Sequence, residues 1–148
     1  MRIIGIGNPD RGDDAAGRQV AQIVRGRLAC ADVRECNGDV MQLVGQLADA
    51  AAVILIDASY SGCEPGTTRR FDVADSPLPL QPPGASTHGL GACEAIELAR
   101  ALGRLPERCV VYTIEGAHFR PGTPLSPAVR RAVADLAREL CSGDLSAD

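Results

Sequence analysis

Ala51-Ala52-Val53-Ile54-Leu55-Ile56-Asp57-Ala58-Ser59 is the stretch that decides the fold. The apolar run 51–56, rich in β-branched side chains, stops abruptly at a carboxylate. A strand with one face in water alternates apolar and polar residues, whereas a strand covered on both faces does not. The run therefore reads as a central strand of a parallel sheet lying under helices. Extended back to Ala50 it is the longest purely apolar run in the chain, and it falls far short of the ~20 residues needed to cross a bilayer.

The same alternation of strand and helix continues on both sides. Towards the N-terminus, Arg2–Ile6 reads as a first strand ending in a Gly-rich turn. Residues 16–28 form a helix with Val20, Ile23, Val24 and Leu28 on one stripe, Asp32–Cys36 a short second strand, and Val40–Leu47 a short helix. Towards the C-terminus, 67–73 reads as a fourth, more polar strand. It follows the third without a crossover helix, so it is the expected antiparallel member. Residues 75–85 carry Pro77, Pro79, Pro82 and Pro83, which exclude helix and predict an extended loop. A helix is predicted over 88–102, striped by Ala92, Ala95, Ile96, Ala99 and Leu102 and capped by Ser86 or Thr87; a buried-type strand follows over 109–114. The last helix has Ser126 as its N-cap, Pro127 at its first position and Gly143 as its stop, with 144–148 a frayed tail. The expected fold class is α/β: one domain over 1–143, a three-layer α/β/α sandwich around a mostly parallel, twisted five-stranded sheet with one antiparallel strand.

Composition narrows function by exclusion. The chain has 148 residues, of which 45% are apolar, 23% charged and only 3% aromatic, with no Trp, so Ala, Val, Leu and Ile must build the core. The net charge is -4, and all 15 basic residues are Arg, spread along the chain and balanced by acids. With so few aromatics for base stacking, no nucleic-acid partner is expected. Six Cys are scattered without a CxxC pair and read as reduced, small apolar residues, Cys63 standing apart in a polar loop. No secretory signal or membrane segment is read, and the expected location is cytoplasmic.

In open α/β sheets ligands bind beyond the carboxyl ends of the strands. Three segments reach that edge with unusual polar residues: Gly5-Ile6-Gly7-Asn8-Pro9-Asp10-Arg11-Gly12-Asp13-Asp14, Asp57-Ala58-Ser59, and Ser86-Thr87-His88. The first invites a dinucleotide reading, but the third Gly of G-x-G-x-x-G would fall on Asp10, and Asp13 and Asp14 would repel a pyrophosphate. Asp14 near a helix start can be a cap, and Asp57 can close a turn. Yet an anion beside a buried strand is costly without a cation. His88, expected in the first turn of a helix, would be kept neutral by the helix dipole, as a metal ligand must be. His118, in a Gly/Pro-rich loop, reads as a solvated histidine. One imidazole and two carboxylates form a mixed N/O set suited to a borderline divalent ion such as nickel or zinc. H-E-x-x-H and G-x-S-x-G are both absent.

The chain resembles the hydrogenase maturation proteases. The match lies in Gly5-Ile6-Gly7-Asn8 with Asp13-Asp14 and Gly17; Ile56-Asp57-Ala58 with Pro65-Gly66; Ser86-Thr87-His88; and Ile114-Glu115-Gly116 followed by Gly122 and Leu125-Ser126. The resemblance implies an endopeptidase that removes a C-terminal extension from the nickel-loaded precursor of a [NiFe] hydrogenase large subunit. It places the metal-contacting positions on Asp14, Asp57 and His88, with nickel supplied by the precursor, and implies a monomer. Glu115 and Asp13 are candidate supporting groups, with an N-terminal cap the preferred reading of Asp13. Pro9-Asp10-Arg11 and Gly116 depart from the family pattern. The alternatives are a non-catalytic maturation chaperone on the same fold and a nucleotide-binding α/β module. Whether the metal positions the substrate or a carboxylate activates water is open at this level.

Overall fold

The computed structural model describes residues 1–79 and 90–143. Its strands are β1 (Arg2–Ile6), β2 (Asp32–Cys36), β3 (Ala52–Ser59), β4 (Thr68–Asp72) and β5 (Arg108–Glu115). Its helices are α1 (Ala16–Arg27), α2 (Val40–Leu47), α3 (Leu90–Ala101) and α4 (Pro127–Cys141), and a 3₁₀ turn over Gly12–Ala15 precedes α1. The five strands form one sheet in the order β2-β1-β3-β5-β4. β2, β1, β3 and β5 are parallel, and β4 lies antiparallel to β5 at the edge.

Every sequence-predicted element that falls on described residues is present. β3 is longer than the apolar run: it continues through Asp57 and Ser59, paired residue for residue with Thr113 and Glu115 of β5. The predicted start of the third helix, at His88, lies outside the described residues, as do the expected cap Ser86 or Thr87 and the tail 144–148. The 3₁₀ turn was not anticipated, because Gly12-Asp13-Asp14-Ala15 carries no apolar period of its own.

Two hydrophobic cores flank the sheet. One joins Val20 and Val24 of α1 to Val129, Val133, Leu136 and Leu140 of α4 over Ile3, Ile54, Ile56 and Ile114. The other joins Leu43, Val44 and Leu47 of α2 to Ala92, Ala95, Ile96 and Ala99 of α3 over Ile4, Ile6, Val53, Leu55 and Val111. Successive β3 residues alternate between the two cores, which is why that strand is apolar at every position. Cys36 and Cys109 belong to the second core as small apolar residues, and all six Cys are free thiols. Burial pushes the Cys109 thiol up to about 12.

One close packing contact places the functional edge. A Cβ on Gly17 would stand 2.1 Å from the Ile56 carbonyl oxygen, and one on Gly5 would stand 2.4 Å from that of Gly17. These glycines let the start of α1 sit directly on β1 and β3. The 3₁₀ turn just before α1 is thereby held over the end of β3.

Candidate active site

The loop after β1 turns back on itself through Gly7, whose φ of +139° suits only glycine, and a Cβ there would meet the Asp14 carbonyl oxygen at 1.8 Å. The Asn8 amide then donates to Asp14 Oδ2 at 2.9 Å. This arrangement differs from a phosphate cradle, in which the backbone amides after the first strand face an anionic ligand. Asp14 is not the cap of α1; its carboxylate is held from the preceding loop, and it is 8% exposed.

Asp57 is 4% exposed. Its Oδ1 accepts from the Ala58 amide at 2.8 Å. Burial, together with the negative charge of Asp14, pushes its carboxyl up to about 7, the Ala58 amide opposing only in part. Asp14 and Asp57, 43 positions apart in sequence, are therefore both buried at the carboxyl edge, near enough for the charge of Asp14 to act on Asp57. His88 lies outside the described residues. The helix that follows it starts at this same edge: a Cβ on Gly91 of α3 would stand 2.3 Å from the carbonyl oxygen of Gly38, beyond β2. His118 is exposed in the β5–α4 loop, as its sequence context suggested.

Two further carboxylates have different work. Asp13, expected as an N-terminal cap, instead reaches across to the loop between β5 and α4. Its Oδ2 accepts from the amides of Ala117 and His118 at 2.8 and 3.0 Å and from the Ser126 hydroxyl, and its Oδ1 accepts from the Ser126 amide at 2.7 Å. Burial alone would raise its carboxyl, but these bonds outweigh burial and hold it below the usual range. Ser126 does stand at the N-cap of α4, with its hydroxyl engaged by Asp13 rather than by the helix. Glu115, at the end of β5, anchors the loop after β3: Oε1 accepts from the amides of Ser61 and Gly62 at 2.7 and 3.0 Å, and Oε2 from the hydroxyls of Ser59 and Ser61 at 2.8 and 3.0 Å. Cys63 is exposed in that loop, its sulfur accepting from the Ser61 hydroxyl at 3.3 Å.

Tyr60 and Phe119 meet at the same edge, an aromatic pair that the sequence reading passed over because neither residue belongs to a motif. The available signal was scarcity: the chain has two Tyr and two Phe in all.

Comparison with known proteins settles the family. The family model described as hydrogenase maturation protease matches residues 38–143. The chain belongs to the hydrogenase maturation protease family. The matched span contains Asp57 and His88, while Asp14 precedes it. Similarity to curated relatives extends over nearly the whole chain. It is 30% identical over 146 residues to the hydrogenase expression/formation protein HupD of Rhodobacter capsulatus, covering 93% of this chain and 70% of that protein. It is 29% identical over 136 residues to HupD of Bradyrhizobium diazoefficiens, covering 89% and 71%. In fold it is similar to the hydrogenase maturating endopeptidase HybD from E. coli (TM-score 0.74, 23% identity, 94% of this chain and 88% of that one). It is also similar to the [NiFe] hydrogenase maturation protease HycI from Thermococcus kodakarensis KOD1 (TM-score 0.72, 24% identity, 95% and 89%). This maturation protease is thus a peptide hydrolase on a shared three-layer fold. Among the described residues no helix is long and apolar enough to cross a membrane.

Proposed function

We propose that this protease removes a C-terminal extension from the nickel-loaded precursor of a [NiFe] hydrogenase large subunit, acting in the cytoplasm as a monomer. The observation that carries this reading is the buried pair Asp14 and Asp57 at the carboxyl edge of a sheet whose family is proteolytic. Two buried carboxylates within reach of each other's charge repel, and a divalent cation held by both offsets the repulsion and the desolvation cost. The donor set therefore fits a metal ion, with His88 as the nitrogen donor of a mixed N/O set that suits nickel. The ion belongs to the substrate: nickel already seated in the precursor is recognised by Asp14, Asp57 and His88, which orients the adjoining polypeptide.

The reaction is peptide hydrolysis. Water adds to the scissile carbonyl carbon while its proton passes to an ionised carboxylate of the pair. The C–N bond then breaks, and the departing amine takes up that proton.

Mass spectrometry of nickel-loaded and nickel-free precursor incubated with the protein tests the reading. Loss of a C-terminal fragment is expected only from the loaded precursor. In Asp57→Asn the rate should fall by about 10²–10⁴-fold, the range for removal of a general base. In His88→Ala recognition of loaded over empty precursor should disappear. Equal cleavage of both precursors, or full activity in Asp57→Asn, would overturn it.

A further inference from the structure

The rim beside the carboxylate pair carries an aromatic ledge. The rings of Tyr60 and Phe119 stack edge to face, with centroids 5.7 Å apart and planes at 80°. Tyr60 lies just past the end of β3 and is 45% exposed; Phe119 is half-buried in the β5–α4 loop. The chain thus places half of its four Tyr and Phe residues together at one spot.

Buried carboxylates anchor the chain next to both rings. Tyr60 sits between Ser59 and Ser61, whose hydroxyls both donate to Glu115. Phe119 directly follows Ala117 and His118, whose amides both donate to Asp13. Its ring also closes over Gly116, where a Cβ would stand 2.5 Å from Phe119 Cζ and 3.0 Å from Asp13 Cβ. Gly116, a departure from the family pattern, is thus the residue that lets the ring lie down beside Asp13. A surface aromatic would ordinarily lose side-chain freedom on binding a ligand. Here much of that cost is already met by the fold, as in preorganised recognition sites.

Tyr60 follows Asp57 by three positions. At ~3.3 Å per extended residue the backbone of Tyr60 lies within about 10 Å of that of Asp57. An extended polypeptide with its scissile bond at the carboxylate pair covers the same distance in about three residues. We propose that Tyr60 and Phe119 form a specificity subsite that receives an apolar side chain of the substrate about three residues from the bond cut. This inference rests on the polypeptide-cleaving role given above. Its occupant is the substrate because the ledge stands beside the turn that carries Asp14: the neighbouring Asp13 ties that turn to the β5–α4 loop that carries Phe119.

The test uses nickel-loaded precursors of a [NiFe] hydrogenase large subunit carrying Leu, Ala or Asp in turn at each of the three positions on either side of the cleaved bond. With the wild-type protease, Leu at one position should be preferred over Asp there by about tenfold or more. Tyr60→Ala should raise KM by about tenfold with kcat within about twofold, and should erase the preference; Tyr60→Phe should keep both. Phe119→Leu, which retains an apolar cover for Gly116, should give an intermediate KM. Unchanged KM and preference in Tyr60→Ala would overturn the subsite. Binding separates this from failure of the hydrolytic reading. If the wild type cuts no precursor, yet Tyr60→Ala in an Asp57→Asn background binds loaded precursor about tenfold more weakly than Asp57→Asn alone, the hydrolytic role falls and the subsite stands. If Asp57→Asn abolishes cleavage while Tyr60→Ala behaves as wild type, the hydrolytic role stands and the subsite falls.

Discussion

Four carboxylates, Asp13, Asp14, Asp57 and Glu115, are buried at the carboxyl edge of the sheet, and they divide by what surrounds them. Asp13 and Glu115 are each met by four donors, from amides and hydroxyls of loops distant in sequence. Asp57 has an adjacent amide and the charge of Asp14. The first pair is solved electrostatically within the chain and acts as cross-bracing. In the second, Asp14 accepts from the Asn8 amide, and Asp57 is the member driven towards its neutral form. A buried group arranged against its own ionisation makes a candidate functional site, because packing alone would select a neutral residue there.

The sharpest way to break this contrast is at Asp13. Both of its oxygens face backbone amides, Oδ1 towards Ser126 and Oδ2 towards Ala117 and His118. The NH₂ of an Asn would meet an N–H group in either orientation, and an amide cannot reverse its polarity. Asp13→Asn should therefore destabilise by about 3–5 kcal/mol, leaving buried donors unpaired. In a domain of this size that lowers Tm by about 10–15 °C, measurable by calorimetry. A shift of only a few degrees would show that the loop is held by other contacts.

Asp57 should behave in the opposite sense. Its carboxyl is raised from 3.8 to about 7, so between those values the folded chain keeps a proton that the unfolded chain releases. Stability contributed by this group accordingly falls as pH rises through the window. Asp57→Asn removes the penalty. Urea unfolding of metal-free protein should show the variant more stable than wild type by about 2–4 kcal/mol above pH 7, with an advantage about 2–3 kcal/mol smaller at pH 5. A variant that is less stable at both pH values would place Asp57 with the bracing carboxylates.

The contrast also explains what the sequence disclosed. The apolar run before Asp57, the stripes of the helices and the more polar fourth strand are local patterns, and each produced its element where described. Asp57 was legible as an acid attached to a buried strand, and its approach to Asp14 was expected because both segments reach the carboxyl edge and the family resemblance places both residues on one metal. Asp13 was misread as a cap because its partners lie more than 100 positions away, a distance at which no spacing rule operates. Glu115 was left without a defined role for the same reason, its partners being Ser59, Ser61 and Gly62. The strand order β2-β1-β3-β5-β4 was likewise absent from the sequence reading, since it depends on which faces the helices cover rather than on any one segment.

Glu115 supplies the smallest and most discriminating test of the bracing pair. Its Oε1 faces two amides, Ser61 and Gly62, whereas its Oε2 faces two hydroxyls, Ser59 and Ser61. Hydroxyls rotate and can accept as readily as they donate. A Gln at this position can therefore keep its carbonyl oxygen on the amides and turn its NH₂ towards hydroxyls that reverse to receive it. What is lost is the charge assistance of the original bonds, about 1–2 kcal/mol, so Glu115→Gln should lower Tm by only a few degrees. The same carboxylate-to-amide change is thus expected to cost clearly more at Asp13 than at Glu115. Equal losses at the two positions would mean that burial of charge, and not the direction of the surrounding donors, decides what these carboxylates contribute.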